Sequence, residues 1–193
     1  MTYKKVILKK GKEDSLKRFH PWVFSGAIDS IDETVEEGDS VSVYAADGSL
    51  IGNGHFQVGS ICVRMLAWGD GAIDEAFYQE RLQAAMELRK SLQLLRADNN
   101  SFRLVHGEGD FLPGLVVDVY GSTAVLQAHS PGMHFDRYKI ANALTQLQGV
   151  EIKNVYYKSE TTLPYKAELD AENGYIVGGY DTDVAVENGL KFQ

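Results

Sequence analysis

Cysteine is almost missing from this chain: Cys62 is the single one in 193 residues. One thiol excludes an intrachain disulfide and every zinc site built on paired cysteines. It suits a reducing compartment, so a cytoplasmic location is expected. Long apolar runs are lacking too. None approaches the roughly 20 residues that span a bilayer, and the opening MTYKKVILKKGK has no apolar signal-peptide core. No membrane role is expected. The five histidines, His20, His55, His106, His129 and His134, show no metal-ligand spacing. His129 and His134 stand five apart across a Pro-Gly turn, so no metal site is expected. No G-x-S-x-G nucleophile elbow occurs, and no glycine-rich turn separates a strand from a helix. Cys62 falls in the middle of an alternating strand pattern without a neighbouring cysteine, which reads as a packing residue. No catalytic and no cofactor-binding residue is therefore assigned.

Positive charge is scarce overall but concentrated. The net charge is −8, which argues against a general polyanion binder. Yet residues 1–20 carry seven Lys and Arg against Glu13 and Asp14, a local +5 that leaves −13 for the remainder. Such asymmetry describes one basic face on an acidic body, or a merely solvated first strand and helix.

The apolar pattern changes period once. Up to about residue 68 it is short and alternating. Val6 and Leu8, then Trp22 and Phe24, then Val41 and Val43, then Ile61, Val63 and Met65 mark strands. Asp47-Gly48 marks a turn, and Gly52 and Gly54 on one strand face suggest a bend or a close backbone crossing. Residues 13–19 suit a helical turn with Leu16 and Phe19 inward. Several short strands over about 70 residues predict a small β-barrel. Gly69-Asp70-Gly71 reads as a linker. Beyond it Asp74 can cap a helix reaching about residue 95, with Tyr78, Leu82, Ala85, Leu88, Leu92 and Leu95 as its buried stripe. A second helix is predicted over residues 135–147, with Tyr138, Ala141 and Leu144 in line. Residues 123–129 and 152–157 are predicted strands, and 175–177 with 184–186 a hairpin. The fold class is thus α+β: a barrel over 1–70, a mixed sheet with two main helices over 71–187, and a short tail, 188–193.

Residues 102–121, FRLVHGEGDFLPGLVVDVYG, read as strand, tight loop, strand. Phe102, Leu104 and His106 alternate with Arg103 and Val105. Gly107-x-Gly109 could cradle a phosphate, but that needs a helix N-terminus next, and Pro113 and a strand follow. Glu108 and Asp110 could be a carboxylate pair, although acids in a glycine loop are more often solvated turn residues. A hairpin corner is the plainest reading.

The same stretch resembles the central signature of S-adenosylmethionine-dependent RNA (cytosine-5) methyltransferases with an N-terminal PUA domain. The residues that carry it are Arg103-Leu104-Val105, Gly107-Glu108, Asp110, Leu112-Pro113-Gly114-Leu115, Val117-Asp118 and Tyr120-Gly121. A second match is Arg18 with His20-Pro21-Trp22-Val23-Phe24-Ser25-Gly26, similar to the family's PUA signature. The similarity runs from Leu8 to Phe192 and departs from the family over residues 159–174, where Leu163-Pro164-Tyr165-Lys166-Ala167-Glu168-Leu169 stand in place of an Arg and a Glu-Gly pair.

The resemblance implies an RNA-binding PUA-like barrel over 1–70 and a central domain over 71–187. It implies that residues 188–193 open a Rossmann-like catalytic domain truncated from this chain. The expected function is RNA binding and substrate positioning for a 23S rRNA (cytosine-5) methyltransferase. S-adenosylmethionine would be the cofactor of the full-length family protein, and structured RNA, ribosomal RNA above all, the partner. Lys9, Lys10, Lys17, Arg18, His20 and Trp22 are the candidate RNA-binding residues, cations for phosphates and flat rings for bases. The resemblance places Lys17, Arg18 and His20 on the RNA-facing edge. An alternative stays open: a protein-interaction or homodimerisation module that uses the acidic second half and has no RNA role of its own.

Overall fold

Alternation builds the first sheet. In the computed structural model, which describes residues 3–164, 169, 171–179 and 184–192, six strands run in the order β2-β6-β5-β4-β1-β3. They are β1 (Lys4–Leu8), β2 (Trp22–Phe24), β3 (Ile28–Ile31), β4 (Ser40–Tyr44), β5 (Leu50–Phe56) and β6 (Ile61–Trp68). Only β1 and β4 pair in parallel. Val6, Leu8, Val41, Val43, Val63 and Met65 face one core with Val23 and with Leu16 of helix α1 (Asp14–Lys17). The sheet curls over that core as a half-barrel. β2 and β3 lie at opposite ends of the strand order although a single 3-10 turn, Ser25–Ala27, joins them, so the ladder stays open where a barrel was expected. Gly52 and Gly54 are the close crossing that their spacing predicts. A Cβ on either would strike the β6 backbone, at the Ala67 and Arg64 carbonyls.

The chain leaves β6 at Trp68 and turns at Gly69 (φ 81°). Helix α2 (Glu75–Ser91) follows, and the Asp74 carboxylate accepts the Phe77 N–H at 3.0 Å. The second sheet is mixed, in the order β11-β10-β9-β8-β7. Its strands are β7 (Ser101–His106), β8 (Leu115–Tyr120), β9 (Thr123–Ala128), β10 (Asn154–Tyr157) and β11 (Gly174–Val177). Only β9 and β10 run parallel. Helices α2 and α4 (Arg137–Thr145) cover it, and Tyr78, Leu82, Leu104, Leu126 and Leu144 are among its buried side chains.

Four local expectations change. Along α2, Tyr78, Leu82 and Ala85 are buried, but Leu88 and Leu92 are exposed while Met86 and Arg89 turn inward. The predicted second helix is split into α3 (Pro131–Phe135) and α4 at Asp136, whose carboxylate is drawn inward, and Tyr138 is exposed. Phe102, Leu104 and His106 do not share a face. A register shift between Arg103 and Val105 buries both Leu104 and Val105 and leaves His106 outside. Residues 175–177 do not pair with 184–186. β11 pairs β10, and β12 (Ala185–Glu187) makes its own hairpin with β13 (Leu190–Phe192) beside β7. Within the divergent loop, residues 165–168 and 170 lie outside the described ones.

The two sheets are joined by more than the chain. Leu66 of β6 belongs to the second core. The Asn53 amide donates to the Gly71 carbonyl at 2.8 Å, and Ile73 N–H to the Tyr3 hydroxyl at 2.9 Å. On β5, His55 Nε2 lies 3.2 Å from the Asp136 carboxylate, and its ring covers Gly132.

Candidate nucleic-acid interface

The end of α1 sets the first part of the site. His20 N–H bonds the Ser15 carbonyl at 3.0 Å and Phe19 N–H the Leu16 carbonyl at 2.9 Å. These two bonds define a Schellman motif with Phe19 in the left-handed position, φ 62°. Phe19, expected to face inward, is therefore turned out, 60% exposed, with its ring edge-on to Trp68 at 5.4 Å. Only Leu16 carries the burial of this helix. Lys17 and Arg18 are exposed just before the turn, and Lys17 pairs loosely with Glu13 at 3.6 Å.

Strand β2 continues the surface. Pro21 holds His20 extended, and the rings of His20, Trp22 and Phe24 neighbour one another at 5.7 to 6.3 Å. Val23 alone points into the core, so the Trp22 and Phe24 face is the outer one. Trp22 is half-buried, and its Nε1–H donates to Glu108 Oε1 at 2.9 Å. That bond crosses from the half-barrel to the β7–β8 loop.

The loop is a hairpin corner, and neither of its acids is merely solvated. Gly107–Asp110 forms a 3-10 turn. Asp110 is clamped by Arg89 from α2, with Nη2 to Oδ2 at 2.8 Å and Nη1 to Oδ1, and also accepts the His106 N–H at 2.6 Å. The pair is buried, so Asp110 anchors the loop, with three of its acceptor sites taken by Arg89 and the His106 N–H. Phe111 follows at φ 57°, with its N–H on the Glu108 carbonyl and Leu112 N–H on the Gly107 carbonyl. Two recesses involve this loop. Arg64, His106, Glu108 and His129 line one, of about 240 Å³; burial, then Arg103, holds the His129 imidazole below its ordinary pKa. Phe19, Trp68, Arg81 and Phe111 line the other, of about 390 Å³.

The structure thus brings Lys17, Arg18, His20 and Trp22 to one edge. Lys9 and Lys10 are exposed at the end of β1, where Lys9 Nζ bonds the Gly26 carbonyl at 3.2 Å in the turn after β2. Phe19, Arg64, Trp68, Arg81 and Phe111 were not foreseen at this edge, and Glu108 was weighed only as one of a carboxylate pair. The signal for Phe111 was an aromatic in a glycine-rich turn, where small polar residues are usual. Cys62 lies buried in β6, its thiol donating to the Gly59 carbonyl at 3.1 Å, and burial raises its pKa. Among the described residues no cluster of His, Cys, Asp or Glu could hold a metal, and no helix is long and apolar enough to cross a membrane.

Residues 6–68 match the PUA-like domain model. The half-barrel and its aromatic edge fall in that span. Along nearly its whole length the chain is homologous to proteins named ribosomal RNA large subunit methyltransferase I. That from Alteromonas mediterranea is 37% identical over 188 residues, covering 96% of this chain and 47% of the relative. That from Erwinia tasmaniensis is 35% identical, covering 97% and 48%. The chain therefore spans about half the length of the curated relatives it matches. A solved structure from Streptococcus mutans, described as a candidate SAM-dependent methyltransferase, superposes over all of this chain and 48% of its own, with a TM-score of 0.75. At 16% identity it shows a shared fold.

Proposed function

We propose that residues 1–193 bind ribosomal RNA and position it for a SAM-dependent rRNA (cytosine-5) methyltransferase. One observation carries this reading: within the span that matches a PUA-like domain, exposed cations adjoin outward-facing rings. Arg18 makes no ion pair among the described residues, and Phe19, His20 and Phe24 are exposed beside it. Cations neutralise phosphates, and flat rings stack unpaired bases. The rRNA methyltransferases to which the chain is homologous support ribosomal RNA as the partner.

In this reading S-adenosylmethionine is held by a further part of a longer protein. The strand-to-helix junctions β6–α2 and β9–α3 do not fit it. Asp74 caps α2 with its own carboxylate, and the His55 ring fills the space at Gly132 where α3 begins. The residues present bind and orient RNA; none is assigned a chemical step.

The test is RNA binding by the double variant Lys17→Glu, Arg18→Glu. Both side chains are exposed, so stability should change by under about 0.5 kcal/mol, checked by circular dichroism. Affinity for structured rRNA fragments should fall, and the salt dependence should flatten by roughly 0.7 to 0.9 per lost phosphate contact. A folded double variant with unchanged affinity and salt slope would remove this edge from the RNA site.

A further inference from the structure

We propose that the recess lined by Phe19, Trp68, Arg81 and Phe111 stacks a single unpaired nucleobase. The inference rests on the RNA-binding reading and extends it to a site shared between the half-barrel and the second sheet.

The backbone supplies the first argument. Phe111 N–H bonds the carbonyl three residues back and Leu112 N–H the carbonyl five back, at 3.2 and 3.1 Å. This repeats the pattern at Phe19. Two Schellman motifs, one from each side of the recess, thus place phenylalanine where glycine is the usual residue. Left-handed backbone is unfavourable for a side chain with a Cβ, and for a bulky one it is an outlier. Strained residues of this kind persist where a ligand clamp needs the side chain. Burial does not explain these two, because Phe19 is 60% and Phe111 48% exposed.

Chemistry supplies the second. The Arg81 guanidinium lies 5.7 Å from the Phe111 ring centre and 5.5 Å from that of Phe77, and it makes no ion pair among the described residues. Trp68 is fixed by its Nε1–H on the Leu16 carbonyl at 2.9 Å, and its ring meets Phe19 edge-on. Rings with an uncompensated planar cation form a stacking surface for a base attached to phosphate. Lys17 and Arg18, immediately before Phe19, are placed for that phosphate. An apolar peptide would use the rings but would leave Arg18 and Arg81 without an anionic partner. The volume of about 390 Å³ falls within the roughly 300–1,000 Å³ of small-ligand clefts.

The experiment compares a perfect RNA duplex with the same duplex carrying one bulged 2-aminopurine, bound to the wild-type chain and to Phe111→Ala, Phe111→Gly and Phe111→Tyr. The wild type should prefer the bulged RNA and change its 2-aminopurine fluorescence. Phe111→Ala and Phe111→Gly should each lose at least about fivefold in affinity for the bulged RNA, the lower end for one base–aromatic stack. They should bind the duplex as before, and Phe111→Tyr should behave as wild type. Unchanged bulge affinity and fluorescence in both truncations would overturn the slot while leaving RNA binding standing. An equal loss on both RNAs would overturn it by showing a general effect of the loop. A wild-type chain that binds neither RNA, or that binds an aromatic peptide through these residues instead, would overturn both readings.

Discussion

Two side chains show the strain most plainly. Phe19 and Phe111 both sit in the left-handed region while their rings face solvent. The stability consequence can be isolated at Phe111, because alanine and glycine both remove the ring but only glycine removes the Cβ. Phe111→Gly should be more stable than Phe111→Ala by about 1 kcal/mol, since left-handed backbone penalises any Cβ. Urea unfolding of the two variants measures it. Equal stabilities would mean that the loop relaxes away from φ 57° once the ring is gone. Leu112, next in the chain, is fully buried, so the turn is held in place from one side while Phe111 is displayed on the other.

At the level of elements, α2 shows what the sequence could and could not tell. Its start was legible because Asp74 is a capping residue ahead of an apolar stripe, and capping is local. Its inner face was legible as far as Ala85. Leu88 and Leu92 then turn outward because Arg89 is drawn inward to Asp110, a partner 21 residues away on another element. No periodicity reports such a contact. Leu88→Gln and Leu92→Gln should therefore change stability by no more than about 0.5 kcal/mol each, whereas Leu82→Ala should cost about 2–5 kcal/mol. Arg89→Ala should cost about 3–5 kcal/mol by leaving the Asp110 carboxylate buried and unpaired. Denaturant midpoints at constant m-value check all four. The candidate site divides in the same way. Lys17, Arg18, His20 and Trp22 are near neighbours in sequence and could be read together. Phe111 and Arg81 reach the same edge through the packing of the second sheet on the half-barrel, with the Arg89–Asp110 clamp and the Trp22–Glu108 bond holding the β7–β8 loop there. The bulge in β7 was hidden for a related reason, since register is set by the facing strand.

For the whole molecule, the two sheets were foreseen from the change of period near residue 69, but the contact between them was not. At its centre Asp136 gathers groups from three elements. Tyr78 of α2 donates to it at 2.7 Å, Lys139 of α4 at 2.6 Å, and His55 of β5 approaches at 3.2 Å. Burial alone would raise the Asp136 carboxyl, but the hydrogen bond and charge of His55, with Lys139 and Tyr78, outweigh it and bring its pKa from an ordinary 3.8 to about 2. A carboxyl depressed in the folded state stays ionised there while the unfolded chain takes up a proton. Its contribution is fully present above about pH 4, declines as the pH falls, and is gone below about 2; the shift corresponds to about 2 kcal/mol. Asp136→Asn should therefore be less stable than wild type near neutrality, with the gap closing by about 2 kcal/mol between roughly pH 5 and pH 2. Urea unfolding of both proteins across that range provides the comparison, with the variant cancelling the carboxylates the two have in common. A gap that stays constant with pH would show that Asp136 is not held by ionic partners. Because His55 comes from the half-barrel and Asp136 from the second unit, the same acid titration should loosen their contact before either core melts. The protection factor of the Asp136 amide, whose N–H bonds the Gly132 carbonyl under the His55 ring, should then fall at a higher pH than those of Val63 or Leu126.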